Sequence, residues 1–222
     1  VSIAPLLGFK GGTAAYLFYR LPRFSVDLDF DFLGETEAER ETVFTEMKKI
    51  LEQYGVLKDE QRKFMTIFFL LSYGVGDHGI KIEVNLRPTG ARYHLKNYLG
   101  IPMLVVAQVS MFAGKLIALT KRKVFAPRDL YDTHFFLKNG WGVDERVLTS
   151  YGVDSAERYL RLCADFVGSL AQENLLAGLG ELIDEKQKIW VREKLRDETA
   201  FLLRAYAKTT AKAGETRSDE AA

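Results

Sequence analysis

Asp27 and Asp29 stand two positions apart in the stretch Asp27 to Leu33, DLDFDFL, where acidic and apolar residues alternate. In an extended chain successive side chains point to opposite faces. Asp27, Asp29 and Asp31 therefore share one face, and Leu28, Phe30 and Phe32 the other. Neighbouring carboxylates repel, and a cation between them removes the repulsion. Oxygen-only ligands suit magnesium, with manganese as the alternative; zinc gains nothing from the single Cys163. A solvated face of a one-sided sheet produces the same alternation, so the pair alone decides nothing. A third carboxylate, Glu83, lies in the apolar run IKIEVNL. A charge there calls for a partner or a metal, with an exposed strand face as the competing reading.

Upstream of the acids, Lys10 is followed by Gly11, Gly12 and Thr13 at the start of the compact apolar stretch Thr13 to Tyr19, which predicts a short helix opening on a glycine turn. The amides and dipole of a helix start favour a phosphate, although a glycine pair also makes an ordinary turn. Arg23 and Ser25 precede the aspartates, one suited to fork onto a phosphate and the other to donate a hydrogen bond. Further on, Lys115 lies in the apolar segment KLIAL, and Arg128, Asp129 and Asp132 form RDLYD. Lys115 can meet a triphosphate as a point charge or snorkel from a surface. Arg128 and Asp132 are four apart on a helix face, and Asp129 and Asp132 three apart. Both acids can equally belong to an ion pair near a helix start, orienting Lys115 or the acceptor rather than touching metal. The scattered His78, His94 and His134 read as structural. The runs Lys121 to Lys123 and Lys186 to Arg196 read first as a helix end and an amphipathic helix, and second as phosphate-contacting surfaces.

The elements that position these groups follow from local pattern. Thr36-Glu37-Ala38-Glu39 matches a capping box, and Val43, Met47, Ile50, Leu51 and Tyr54 then mark one helical face ending at Gly55. Phe64 to Tyr73 and Ile80 to Leu86 are strand-like, and the glycine-rich GVGDHG between them predicts a hairpin. Lys81, Glu83 and Asn85 face one way and Ile82, Val84 and Leu86 the other. From Val109 the pattern turns helical, with Pro127 as a helix starter and Gly140 as a stop. The expected layout is a mixed α/β half over 1–105, a helical region over 106–207 and a tail without regular structure over 208–222.

With 222 residues, 47% hydrophobic, the chain can bury a sizeable core. Thirty-one basic against 30 acidic residues leave a net charge of +1, so binding to nucleic acid has to be local. No apolar run approaches the ~20 residues of a membrane-spanning helix, and the expected location is cytoplasmic. The chain starts at Val1 and enters the glycine motif almost at once, which suggests that a short N-terminal piece precedes it.

Taken together, KGGTAAYLFYRLPRFSVDLDFDF, KLIAL and RDLYD, in this order, resemble the AbiEii/AbiGii toxin family of nucleotidyltransferases, relatives of the DNA polymerase β-like enzymes. The resemblance extends through most of the chain. It implies an α/β (α+β) nucleotidyltransferase core with a mixed sheet and flanking helices, a helical C-terminal region, and a toxin checked by a cognate antitoxin protein. It implies further that Asp27, Asp29 and Glu83 hold magnesium and that Lys10, Gly11, Gly12, Thr13, Arg23, Ser25, Lys115 and Arg128 bind a nucleoside triphosphate. Lys115, Asp129 and Asp132 join the catalytic set, and an RNA 3′ end, that of tRNA first, is the acceptor. A protein or small-molecule acceptor, or a silent relative that binds RNA or antitoxin, remains open.

Overall fold

The computed structural model describes residues 2–74 and 79–219, with side chains described to position 210. His78 and most of the GVGDHG link lie outside the described residues. The chain divides into two compact units, Val1–Ala107 and Gln108–Ala222.

The first unit carries strands β1 (Leu7–Lys10), β2 (Leu28–Phe32), β3 (Val56–Lys63), β4 (Thr66–Ser72), β5 (Gly79–Asn85), β6 (Tyr93–Tyr98) and β7 (Ile101–Val106). They form one mixed sheet in the order β3-β4-β5-β2-β1-β7-β6. The pairs β2–β5 and β1–β7 are parallel and the others antiparallel. Helix α1 (Gly11–Tyr19) links β1 to β2, and α2 (Glu37–Leu51) links β2 to β3. Alternation on β5 is as anticipated: Ile82 and Val84 are buried, Lys81 and Glu83 exposed. The apolar face packs Phe32, Val43, Met47, Ile67, Phe69, Ile82 and Val84 into one core, with Phe44 of α2 stacked on Phe69 at 5.2 Å.

The capping box forms as its spacing predicts. Thr36 Oγ1 accepts from the Glu39 amide at 3.2 Å, and the Glu39 carboxylate accepts from the Thr36 amide at 2.9 Å. Hydrogen bonds from the backbones of Thr36 and Glu35 hold the Glu39 carboxyl below its usual range. The helix ends at Leu51, before the Tyr54 and Gly55 expected to close it, because the chain turns at residues 52–54.

The second unit is helical: α3 (Gln108–Lys121), α4 (Pro127–Lys138), α5 (Glu145–Ser150), α6 (Ala156–Ser169), α7 (Glu185–Trp190) and α8 (Arg196–Asp219). Pro127 opens α4, where its missing amide costs no hydrogen bond. On α6 the buried Leu160, Cys163, Ala164 and Val167 follow helical spacing, and burial pushes the Cys163 thiol up to about 12. The helix anticipated over residues 186–196 is helical throughout, running through α7, a π-helical turn at Val191–Leu195 and the start of α8. Helix α8 continues past Lys208, where composition suggested a tail without regular structure. No helix among the described residues is long and apolar enough to cross a membrane.

Replacing Thr36 by Ala removes an N-cap and should lower unfolding stability by about 1 kcal/mol in urea titration. An unchanged midpoint would mean that α2 is held by its core face alone.

Candidate active site

The polar face of the first unit is built around β2. Its acids fall between two neighbours: Asp29 is in register with Glu83 on β5 and Lys10 on β1, and Asp31 with Asn85 on β5 and Gly8 on β1. Asp29 and Glu83 therefore project from adjacent strands to one side of the sheet, Asp29 half-buried and Glu83 exposed. Asp27 precedes the strand rather than lying in it.

Asp31 has a different environment. It is 3% exposed and accepts from Lys10 Nζ at 2.5 Å, Asn85 Nδ2 at 2.7 Å and Tyr93 Oη at 2.6 Å. Three donors from three strands satisfy this buried carboxylate. Lys10, expected at the triphosphate, has its ammonium on Asp31 because that acid is the buried one and needs a countercharge. Tyr93 was not singled out from sequence. Its ring crosses β1 at Gly8, where an added Cβ would stand 2.3 Å from Tyr93 Cε1. A glycine inside a strand, marking close approach of another group, is the signal that points to it.

The glycine turn closes on the same region. Gly11 has φ +77°, and a Cβ there would stand 2.1 Å from Asp29 Oδ2, so only glycine admits the carboxylate at the first residue of α1. A Cβ on Gly12 would meet Arg23 Nη2 at 2.7 Å and Ser25 Oγ at 2.8 Å. Thr13 Oγ1 reaches Ser25 Oγ at 3.0 Å and the Asp27 carbonyl at 2.5 Å. Lys10, the N-cap, makes no side-chain cap, and the first-turn amides of a helix have no intrahelical acceptor. Lys10, Gly11, Gly12, Thr13, Arg23, Ser25, Asp27, Asp29 and Glu83 are thus gathered around the start of α1 and the adjoining strands. Besides Lys10, two of them differ from expectation. Arg23 is 4% exposed beneath Gly12 and donates to the Phe24 carbonyl at 3.0 Å, so it braces the turn from inside. The Thr13 hydroxyl also serves the protein, tying α1 to the approach of β2.

The carboxylates Asp27, Asp29 and Glu83 fit a hard divalent cation in donor type, and Gly11 sets no side chain of its own against the Asp29 oxygen. Among the described residues no three His, Cys, Asp or Glu side chains are already gathered around one point.

The second unit holds Lys115, Arg128, Asp129 and Asp132. Lys115 Nζ stands 2.8 Å from Asp129 Oδ1 and 2.9 Å from Asp132 Oδ2. Asp129 is 1% and Asp132 0% exposed. Arg122 Nε is 3.2 Å from Asp129 Oδ2, without the alignment of a hydrogen bond. Within this unit the two acids surround Lys115, the ion-pair arrangement left open by the sequence. Arg128 is half-buried on the same helix. His134 Nε2 lies 3.2 Å from Glu198 Oε2 and its ring 4.6 Å from that of Trp190. Burial lowers its pKa, partly opposed by Glu198. His94 is exposed on β6.

Comparison with known proteins bears on the same residues. The family profile described as "Nucleotidyl transferase AbiEii toxin, Type IV TA system" matches residues 2–218. A crystal structure of a candidate nucleotidyltransferase from H. pylori shares 23% identity at a TM-score of 0.58, over 95% of this chain and 88% of that one. JHP933 from Helicobacter pylori shares 22% at a TM-score of 0.57, over 97% and 88%. Both likenesses bear on fold. No curated protein matches the chain.

Gly11→Ala should place a methyl on the Asp29 carboxylate in a backbone conformation costing about 1–3 kcal/mol, visible as a lowered urea midpoint. Lys115→Met should leave two buried acids without their ammonium and destabilise the second unit by about 3 kcal/mol or more. Wild-type unfolding of Lys115→Met would show that the pair of acids does not depend on that charge.

Proposed function

Because the chain belongs to the AbiEii family of nucleotidyl transferase toxins, of type IV toxin-antitoxin systems, we propose that it transfers a nucleoside monophosphate from a nucleoside triphosphate to an RNA end. The tRNA 3′ end is the leading acceptor, and pyrophosphate is released. The observation that carries this reading is the seat of Asp29 on Gly11, beside Glu83 in register, which joins a phosphate-binding turn to a pair of acids.

In this reading the first-turn amides at Gly11, Gly12 and Thr13 hold phosphate oxygens, helped by the positive end of α1. The Ser25 hydroxyl, steadied by Thr13, donates to the same group. The acceptor hydroxyl oxygen bonds to the α-phosphorus while the bond from that phosphorus to the bridging oxygen breaks, and the electron pair leaves with pyrophosphate. Glu83, exposed beside Asp29, takes the hydroxyl proton or acts as a metal ligand. When bound, magnesium or manganese would neutralise charge on the phosphates, and Asp27, Asp29 and Glu83 are the residues that would hold it. Fixed dipoles and charges aimed at the reacting phosphate are worth far more in such a site than in water.

Lys10 supports the site through Asp31 rather than through the nucleotide. An antitoxin partner follows from the family, and its identity is a matter for co-purification.

The test is incubation with magnesium, each labelled nucleoside triphosphate in turn and total RNA, followed by gel separation. Wild type should label tRNA-sized RNA, and Asp29→Asn should lose on the order of a hundredfold in rate, about 3 kcal/mol. Equal labelling by the variant would sink the role of Asp29. Label found only in protein or in small molecules would replace RNA as the acceptor.

A further inference from the structure

An exposed aromatic pair adjoins the glycine turn. Tyr16 follows Thr13 by three positions on α1 and is 40% exposed. Phe24 directly precedes Ser25 and is 52% exposed, and Val26, between Ser25 and Asp27, is 46% exposed. The Tyr16 and Phe24 rings meet edge to face, with centroids 5.9 Å apart and planes at 82°. In that arrangement one ring offers its face to whatever lies outside. Side chains on a helix lean toward its N-terminus, so the Tyr16 ring covers the turn that holds Gly12 and Thr13.

The segment that carries Phe24 is held by residues that line the turn. Arg23, buried beneath Gly12, donates to the Phe24 carbonyl at 3.0 Å, and Thr13 Oγ1 is 3.0 Å from Ser25 Oγ. Apolar side chains grouped in water and rimmed by polar ones mark a binding surface more often than chance placement does. Here the rim is the phosphate turn itself. From Gly12 to Tyr16 the helix advances about 6 Å, the kind of span a ribose bridges between phosphate and base.

We propose that Tyr16 and Phe24 form the surface on which the base of the donor nucleoside triphosphate stacks, its phosphates lying on the Gly11–Thr13 turn. The inference rests on the nucleotidyl-transfer reading for the place of the phosphates. Every base has a π face, so such a surface favours a nucleotide over a bare polyphosphate without choosing among the bases.

The experiment compares wild type, Tyr16→Ala, Phe24→Ala, the double variant and Phe24→Trp in equilibrium binding. The probes are the nucleoside triphosphates, inorganic tripolyphosphate and a single-stranded RNA oligonucleotide. The expected result is triphosphate binding about tenfold weaker in each alanine variant, unchanged tripolyphosphate binding, and recovery in Phe24→Trp with quenching of the new indole by nucleotide. Unchanged nucleotide affinity in the double variant would overturn the platform while leaving the phosphate turn intact. Equal loss of tripolyphosphate binding would overturn it too, by showing that the pair merely supports the turn. Loss confined to the RNA oligonucleotide would give the surface to the acceptor and overturn the donor assignment. Wild type that binds neither triphosphate nor tripolyphosphate would remove the phosphate turn, and the platform with it.

Discussion

Period two on β2 constrains everything around it. Leu28, Phe30 and Phe32 must lie on the face that packs with the sheet core, which commits Asp29 and Asp31 to the opposite face. Two acids so close together cannot share the same environment at low cost. With β2 between β5 and β1, the strand order gives them different neighbours. Asp31 is enclosed by Lys10, Asn85 and Tyr93, and its charge is settled inside the protein. Asp29 lies over Gly11 with Glu83 alongside, at the start of a helix. Both settlements depend on absent side chains: a Cβ at Gly8 would meet the Tyr93 ring, and one at Gly11 would meet the Asp29 carboxylate.

The parts of this arrangement that could be read from sequence are those whose signals are local. Alternation marked β2 and β5, a strand-like apolar run marked β4, the Thr36 to Glu39 spacing marked the start of α2, and Pro127 marked that of α4. β1 has four residues, too few to carry a pattern of their own beside the glycine turn. β3, with the sequence VLKDEQRK, carries no local strand signal, since its charges have no visible use within the segment. They find one at long range: Arg62 pairs with Glu37 and Glu41 of α2, and Lys48 of α2 with Glu60 at 2.7 Å. β6 and β7 carry mixed polarity and a proline, Pro102, as befits a hairpin at the sheet margin.

Site residues divided in the same way. Types and spacing singled out Asp27, Asp29, Glu83 and the glycine turn as candidates, and the sheet register and the start of α1 bring Asp29, Glu83 and Gly11 together. Whether a polar side chain faces a ligand or the protein is a matter of distant partners. Lys10 and Arg23 look alike in sequence as phosphate cations, yet one neutralises a buried acid and the other braces the turn beneath Gly12. Tyr93 lies 62 positions from the acid it serves, beyond any local pattern.

The second unit presents the same ambiguity in a sharper form. Asp129 and Asp132 are three apart, which puts both on one face of α4, in the first turns where the helix dipole favours acids. At 1% and 0% exposure they are costly without a cation, and Lys115 from α3 supplies it. Such a cluster adds little net stability, since desolvating the charges offsets most of their attraction. Its effect is on orientation. Lys115 reaches both acids only when α3 presents that one side to α4, so the motif selects a rotation of the helix pair that the apolar contacts of Phe112, Leu116 and Leu130 alone would define less sharply. An ammonium between two buried carboxylates is also held in place, its rotamer fixed by the pair. A motif that looks catalytic in the sequence is, within its own unit, first a device for positioning one lysine.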